Sequence, residues 1–264
     1  MTEATISEAP EASLLRWNAP RTTPGGGEVR VHTFASKAEA GLYVAGVIAG
    51  ALQGAVADRG EALWIGCGGT TPKPIYENLN RLDLDWKKIT LAQVDERFVP
   101  VDDASSNTRM MNEALDPILM EGLTFLSLIE DIDDQDACAE KAEARLRGLA
   151  DGTAPVFDIA LMGMGPDAHY ASIFPHHPIN ATVYDTERLV LPVARSGNEH
   201  EPALPRITLT VPALNNSRRI LFFITGETKL EVLRTASQST DPFLSPIGAF
   251  LAQCPSPVDF VWAP

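Results

Sequence analysis

Four short stretches of the chain concentrate residues that could hold an anion or move a proton. The densest runs from Phe157 to Pro175, an apolar segment broken by Gly163 and Gly165 and followed at once by Asp167 and His169. A histidine at the end of a strand can be neutral near pH 7 and take a proton from water, and an acid two residues away can orient it or raise its basicity. A lone histidine in such a place is more often structural than catalytic, so the pair needs support from elsewhere in the chain.

The stretch Trp64-Ile65-Gly66-Cys67-Gly68-Gly69-Thr70-Thr71-Pro72 reads as a strand entering glycines and then a helix whose first position is Pro72. Glycines let backbone N–H groups approach an oxyanion, threonines add hydroxyl donors, and a helix start adds partial positive charge. An ordinary strand-to-helix turn would look the same. The spacing is neither a Walker loop nor a Gly-x-Gly-x-x-Gly dinucleotide turn, which argues against ATP and NAD. In the third stretch, Val94 to Pro100, the charges of Asp95, Glu96 and Arg97 fall where a buried strand should end. Arg97 could pair with a phosphate and Asp95 could accept from sugar hydroxyls, or the group could be a solvated turn with an internal salt bridge. The fourth contains Arg206 in Pro205-Arg206-Ile207-Thr208-Leu209-Thr210 and Lys229 just after Thr225-Gly226. Lys229 falls in the opening turn of an expected helix, where the dipole disfavours a cation unless an anion is near. An exposed lysine balanced by Glu227 fits the sequence equally well.

The other reactive residue types add little. His176 and His177 precede Pro178 and make no zinc-ligand spacing with His169, so no metal is expected. His32 reads as a strand residue and His200 as a loop residue. Ser172 lacks a Gly-x-Ser-x-Gly elbow and is expected to cap or pack. Cys67, Cys138 and Cys254 stand far apart with no Cys-x-x-Cys pair, which fits a reducing cytoplasm, and Cys67 reads as a packing residue.

These residues need a frame. With 264 residues the chain can bury a full core, and its formal charge of −14 carries no strong basic cluster. Nucleic acid and acidic membranes would be repelled, and a small anionic substrate would need a local basic site. Apolar, β-branched runs recur at 62–66, 89–94, 124–128, 157–162, 189–193, 207–211, 220–224 and 258–262, and helical patterning separates many of them, as at 136–150 and 227–236. The alternation predicts an α/β fold, a mostly parallel sheet with helices on both faces, with ligands at the carboxyl ends of the strands. The uncharged run 40–57 is rich in Gly and Ala and reads as a buried helix rather than a membrane span, started by a capping box of Ser36 and Glu39. Residues 1–27 show no secretory signal, end in Thr-Pro-Gly-Gly-Gly and read as a flexible arm, which leaves 28–264 as one domain.

Together, Gly-Gly-Thr-Thr-Pro, Asp-Glu-Arg, Gly-Met-Gly-x-Asp-x-His-x-Ala-Ser-Ile-Phe-Pro and Arg-Ile-Thr-Leu-Thr resemble the 6-phosphogluconolactonase family in order and approximate spacing, over roughly residues 30 to 264. The resemblance implies a Rossmann-like fold of the glucosamine-6-phosphate deaminase type. It also implies hydrolysis of 6-phosphogluconolactone in the pentose phosphate pathway and no cofactor; beside it, a cytoplasmic monomer or small homo-oligomer is expected. It makes His169 the base, with Asp167 beside it, and makes Gly68, Gly69, Thr70, Thr71 and Lys229 the phosphate ligands. Asp95, Arg97 and Arg206 would line the sugar and phosphate site. Two positions depart from the family: Ala168 stands where glycine is usual, and Tyr170 where a small polar residue is common. If that glycine serves a positive φ, Ala168 carries about 1–2 kcal/mol of strain, and Tyr170 either fills space or touches substrate. The alternatives are an isomerase or deaminase of an amino sugar phosphate, which the fold also supports, and a sugar-phosphate-binding module without turnover.

Overall fold

Runs that are apolar on both sides need cover on both sides, and the chain supplies it by alternating strands with helices. A computed structural model describes residues 12–23, 28–195 and 204–264. Strands β1 (Ser13–Asn18), β2 (Glu28–Thr33), β3 (Ala62–Gly66), β4 (Ile89–Gln93), β6 (Thr124–Leu126), β7 (Ile159–Met162), β10 (Ile220–Thr225) and β11 (Val258–Ala263) form one sheet in the order β1-β2-β11-β10-β7-β3-β4-β6. Every neighbouring pair is parallel except β1 with β2. Trp64, Ile65, Leu161, Met162, Phe222 and Ile224 in the central strands are inaccessible to solvent.

Helix α1 (Lys37–Arg59) begins where the Ser36 side chain accepts from the Glu39 N–H at 3.2 Å. By length and composition it could cross a membrane. Its buried residues Val44, Ile48, Leu52 and Ala55 instead face the core, against β3, β7 and β11. The other helices are α2 (Lys73–Leu79), α3 (Asn107–Ala114), α4 (Pro117–Gly122), α5 (Gln135–Gly148), α6 (Val211–Asn215), α7 (Glu227–Ala236) and α8 (Pro246–Gln253).

Three features differ from expectation. Residues 13–18, expected to be part of a flexible arm, form edge strand β1, and Trp17 donates from its indole to the Ser237 hydroxyl at 2.9 Å. Residues 1–11 and 24–27 of that stretch, and His200, lie outside the described residues. The run 207–211 stops at Leu209 because Thr210 accepts from the Ala213 N–H and caps α6, whose opening turn holds Pro212. The charged residues after β4 are also not a loose turn. They form β5 (Asp95–Arg97), which joins β8 (Val190–Val193) and β9 (Arg206–Leu209) in a small antiparallel sheet ordered β5-β9-β8.

The connectivity fixes where a ligand can sit. From β3 the chain steps outward through β4 to β6, then returns to β7 on the other side of β3 and steps outward through β10 to β11. The order therefore reverses between β3 and β7, and at such a switch point the loops leaving the strand ends part to leave a crevice.

Candidate active site

The loops that follow β3, β4, β7 and β10 surround a cavity of ≈ 280 Å³ at this switch point. It is lined by Gly68, Gly69, Thr71, Asp95, Arg97, His169, Arg206 and Lys229, so eight of the ten expected site residues meet there. Asp167 stands behind His169. Thr70 lines an adjoining hollow that shares Gly69, Arg97 and Arg206 with the first.

The β7 loop holds the histidine in a closed turn. The Gly165 N–H donates to the His169 carbonyl at 2.8 Å, and Ala168 N–H donates to the Gly165 carbonyl at 3.2 Å. Asp167 Oδ1 lies 2.5 Å from His169 Nδ1. A carboxylate there favours the tautomer with the proton on Nδ1 and leaves Nε2 as the basic nitrogen. Burial pushes the Asp167 carboxyl up, but the hydrogen bond and charge of His169 outweigh it and hold it below its ordinary value. Gly165 is required by space: a Cβ there would lie 2.2 Å from His169 Cε1 and Nδ1. Ala168 has φ +68°, the left-handed conformation anticipated from its departure from glycine, and its carbonyl accepts from the Ile247 N–H at 3.3 Å. Tyr170 fills space. Its ring is fully buried among Phe222 and Phe250, at centroid distances of 6.2 and 4.9 Å, and so ties the histidine loop to β10 and α8.

On the β3 side the chain turns at Gly68 and Gly69 into α2, with Pro72 as the capping residue just before the first helical position rather than in it. The Tyr76 hydroxyl donates to the Cys67 carbonyl at 2.7 Å and pins the turn. Burial pushes the Cys67 thiol up to about 12, which makes it a packing group. Lys229 occupies the first turn of α7 as expected, where burial pushes its ammonium down against the opposing charge of Asp167. A half-buried cation at the positive end of a helix is a site that an anion would relieve.

The small antiparallel sheet places the remaining charges. Arg97 on β5 stands directly opposite Arg206 on β9. Like charges facing across a strand pair destabilise it unless something neutralises them. Arg206 Nη1 is 3.5 Å from Asp95 Oδ2, its guanidinium lies 5.2 Å from the centre of the Phe174 ring, and burial lowers its affinity for its proton. The Nε atoms of Arg97 and Arg206 have no hydrogen-bond partner among the described residues. Phe174 also meets the His169 ring at 4.5 Å, so one aromatic ring separates the base from a guanidinium.

Four contributors, among them Ser172, which was expected to cap or pack, and Glu96, were not among the expected site residues. Ser172 donates to Asp95 Oδ2 at 2.5 Å and is fully buried, which makes it a holder of Asp95. Glu96 is buried and accepts from the backbone N–H groups of Arg97, Asn107 and Thr108 and from the side chains of Gln93, Ser106 and Thr108. Asn107 and Phe174 complete the set. The run of polar residues Ser105-Ser106-Asn107-Thr108 beside a buried strand end was the available signal, since such residues are favoured where side chains bond to backbone. The other histidine pair is structural where its bonds are defined: His177 accepts from the Ile179 N–H and its Nε2 lies 2.9 Å from the Ala194 carbonyl. Among the described residues, no group of three His, Cys, Asp or Glu could hold a metal ion.

A 6-phosphogluconolactonase of Caulobacter vibrioides is 36% identical over 237 residues, 89% of this chain and 97% of that one. The crystal structure of a 6-phosphogluconolactonase from Shewanella baltica superposes with a TM-score of 0.80 at 32% identity, covering 89% of this chain and 97% of the other. A monomeric glucosamine-6-phosphate deaminase shares the fold at 21% identity, with a TM-score of 0.68 over 88% of this chain and 96% of its own. Residues 35–262 match the model of the glucosamine-6-phosphate isomerases/6-phosphogluconolactonase family, and the chain belongs to that family.

Proposed function

We propose that this protein hydrolyses 6-phosphogluconolactone to 6-phosphogluconate, the step that opens the lactone in the oxidative branch of the pentose phosphate pathway. The observation that carries the reading is His169, backed on Nδ1 by Asp167, on the wall of a cavity that also holds Arg97, Arg206 and Lys229. In this reading the phosphate lies among the Gly68 to Thr71 turn, Lys229 and the paired arginines, where it neutralises cations that otherwise face one another. His169 Nε2 takes a proton from water as the water oxygen attacks the lactone carbonyl carbon. The tetrahedral oxyanion then collapses, the bond from that carbon to the ring oxygen breaks, and the imidazolium returns its proton to the departing oxygen. One histidine serves both steps, so the scheme needs neither a covalent intermediate nor a metal. Residues 28–264 act as one unit, with β1 added at the sheet edge, and the buried, unpaired thiols suit a reducing cytoplasm.

Two rival readings have less support. Isomerisation of an amino sugar phosphate needs a free base beside the carbonyl, and Asp95, the carboxylate on the cavity wall, is held by the Ser172 hydroxyl and faced by Arg206. A binding module without turnover would follow if Ala168 displaced the histidine, but the His169 to Asp167 contact is intact despite the φ of +68°. The test is to add purified protein to freshly generated 6-phosphogluconolactone at slightly acid pH and follow the product through a coupled dehydrogenase. Opening well above the spontaneous rate, lost in His169→Ala, supports the proposal. Equal rates with and without protein refute it.

A further inference from the structure

We propose that Asn107 is a positioning residue that locks the Gly68 turn to Arg97 and so sets selectivity for the phosphorylated end of the substrate. The inference rests on the preceding reading for the identity of the anion, but its evidence is separate. Asn107 opens α3, lies on the cavity wall and is 2% exposed. All its polar side-chain atoms are committed. Oδ1 accepts from Arg97 Nη1 at 2.6 Å, and Nδ2 donates to the Asp95 carbonyl at 2.9 Å. Its backbone N–H donates to buried Glu96 at 2.8 Å, which fixes the base of the side chain as well as its tip.

The flat amide also sits against the turn that follows β3. A Cβ on Gly68 would fall 1.9 Å from Asn107 Oδ1 and 2.0 Å from its Cγ, so this turn keeps its path only because residue 68 has no side chain. One amide therefore touches both parts of the expected anion site, the backbone turn on one face and the guanidinium at its edge. The Ser105 carbonyl accepts from the same Arg97 nitrogen at 2.7 Å, which leaves the rest of the guanidinium fork to be aimed. A longer or shorter side chain at 107 would move Arg97, the Gly68 turn or both. No residue at this position needs to touch the lactone carbonyl, so chemistry and phosphate selection should separate on substitution.

The experiment uses the full chain and compares Asn107→Ala with wild type on 6-phosphogluconolactone and on unphosphorylated glucono-1,5-lactone, alone and in an Arg97→Ala background. For the phosphorylated lactone we expect KM to rise about ten- to a hundredfold, the scale of one hydrogen bond to a charged group, with kcat within about threefold. On the unphosphorylated lactone the loss in kcat/KM should be at least about tenfold smaller than on the phosphorylated one. In the Arg97→Ala background the Asn107 substitution should add little, because the two act through one contact. Equal losses on both lactones, or losses that multiply across the two backgrounds, would overturn the proposal. Binding of 6-phosphogluconate by calorimetry separates it from the enzymatic reading. Wild type that binds this ligand without turnover, beside an Asn107→Ala protein that binds at least about tenfold more weakly, would remove the lactonase and keep the positioning role. Unchanged binding in the variant, or none in wild type, would remove the positioning role. Asn107→Ser supplies a milder cut should the alanine variant fail to fold, and the same expectations hold for it in direction.

Discussion

Gly165→Ala should damage catalysis while sparing the fold, because the missing Cβ at this position is space that the base occupies. An added Cβ would lie 2.2 Å from His169 Cε1 and Nδ1 and 2.6 Å from Asp167 Oδ1, whereas ordinary contact begins at 3.4 Å. The imidazole must therefore retreat by about 1 Å, on the scale at which misplacing a reacting group costs about 10²-fold. Movement of that size also stretches the Asp167 contact, so the ceiling is the complete loss of general-base catalysis, about 10²–10⁴-fold. Stability should change far less. Gly165 is not among the positive-φ residues, so alanine meets no backbone strain, and alanine narrows the unfolded ensemble by about 0.4–1 kcal/mol in favour of folding. The displaced side chains are 27% and 35% exposed and can swing toward solvent rather than into the core. The assay is kcat/KM for 6-phosphogluconolactone above the spontaneous rate, read beside a urea melt, with Gly148→Ala in α5 as a control whose Cβ meets nothing. We expect a fall of about 10²-fold with a stability change under about 1 kcal/mol. Wild-type turnover by Gly165→Ala would refute the argument that this histidine position is the working one. A collapse of stability would show instead that the turn bears structural load.

Two further predictions concern the carboxylates. Asp167→Asn should keep the protein folded but lower kcat by about 10²-fold or more, because an amide no longer selects the tautomer with a free Nε2. Its stability relative to wild type should also depend on pH. The Asp167 carboxyl is held below its ordinary value, so its contribution is fully present above the unfolded value of about 3.9 and is lost as pH falls through the folded one. Urea midpoints should separate the two proteins at pH 6 and converge toward pH 2; a gap that widens in acid would contradict the assignment. Ser172→Ala removes the 2.5 Å donor to Asp95 and should cost no more than about a hundredfold in kcat/KM, the scale of one hydrogen bond to a charged group. A loss of many orders of magnitude, or a burst of product from a covalent intermediate, would make Ser172 a nucleophile and displace His169 from its role.

What could be read from the sequence follows the distance over which each partner acts. The His169 turn, the Gly68 turn and the start of α1 are local: Asp167 is two residues from its histidine, and Ser36 three from the N–H it accepts from. Their residue types and spacing were enough to anticipate them. The positive φ of Ala168 was anticipated through the family resemblance, where glycine is usual at this position, and it is a property of one residue and its neighbours. The edge strand β1 was missed because the following Gly-Gly-Gly dominated the reading, while its Trp17 finds a partner 220 residues away.

The placement of Asp95, Arg97 and Arg206 was open for the same reason. The register of β5 on β9 brings together residues more than a hundred positions apart, and no periodicity within either short strand encodes that pairing. Ser172 reaches Asp95 across 77 residues, and Asn107 reaches Arg97 across ten while the Gly68 turn comes to it from another strand of the main sheet. On the proposed reading the site divides along its chemistry. The proton-moving pair is a local motif on one loop, whereas the anion-holding group gathers four separate stretches, of which the small sheet supplies Arg97 and Arg206. Substitutions in the first should alter turnover through residues already legible in the motif. Selectivity for the phosphate should respond instead to residues such as Asn107, whose importance comes only from what the fold presses against them.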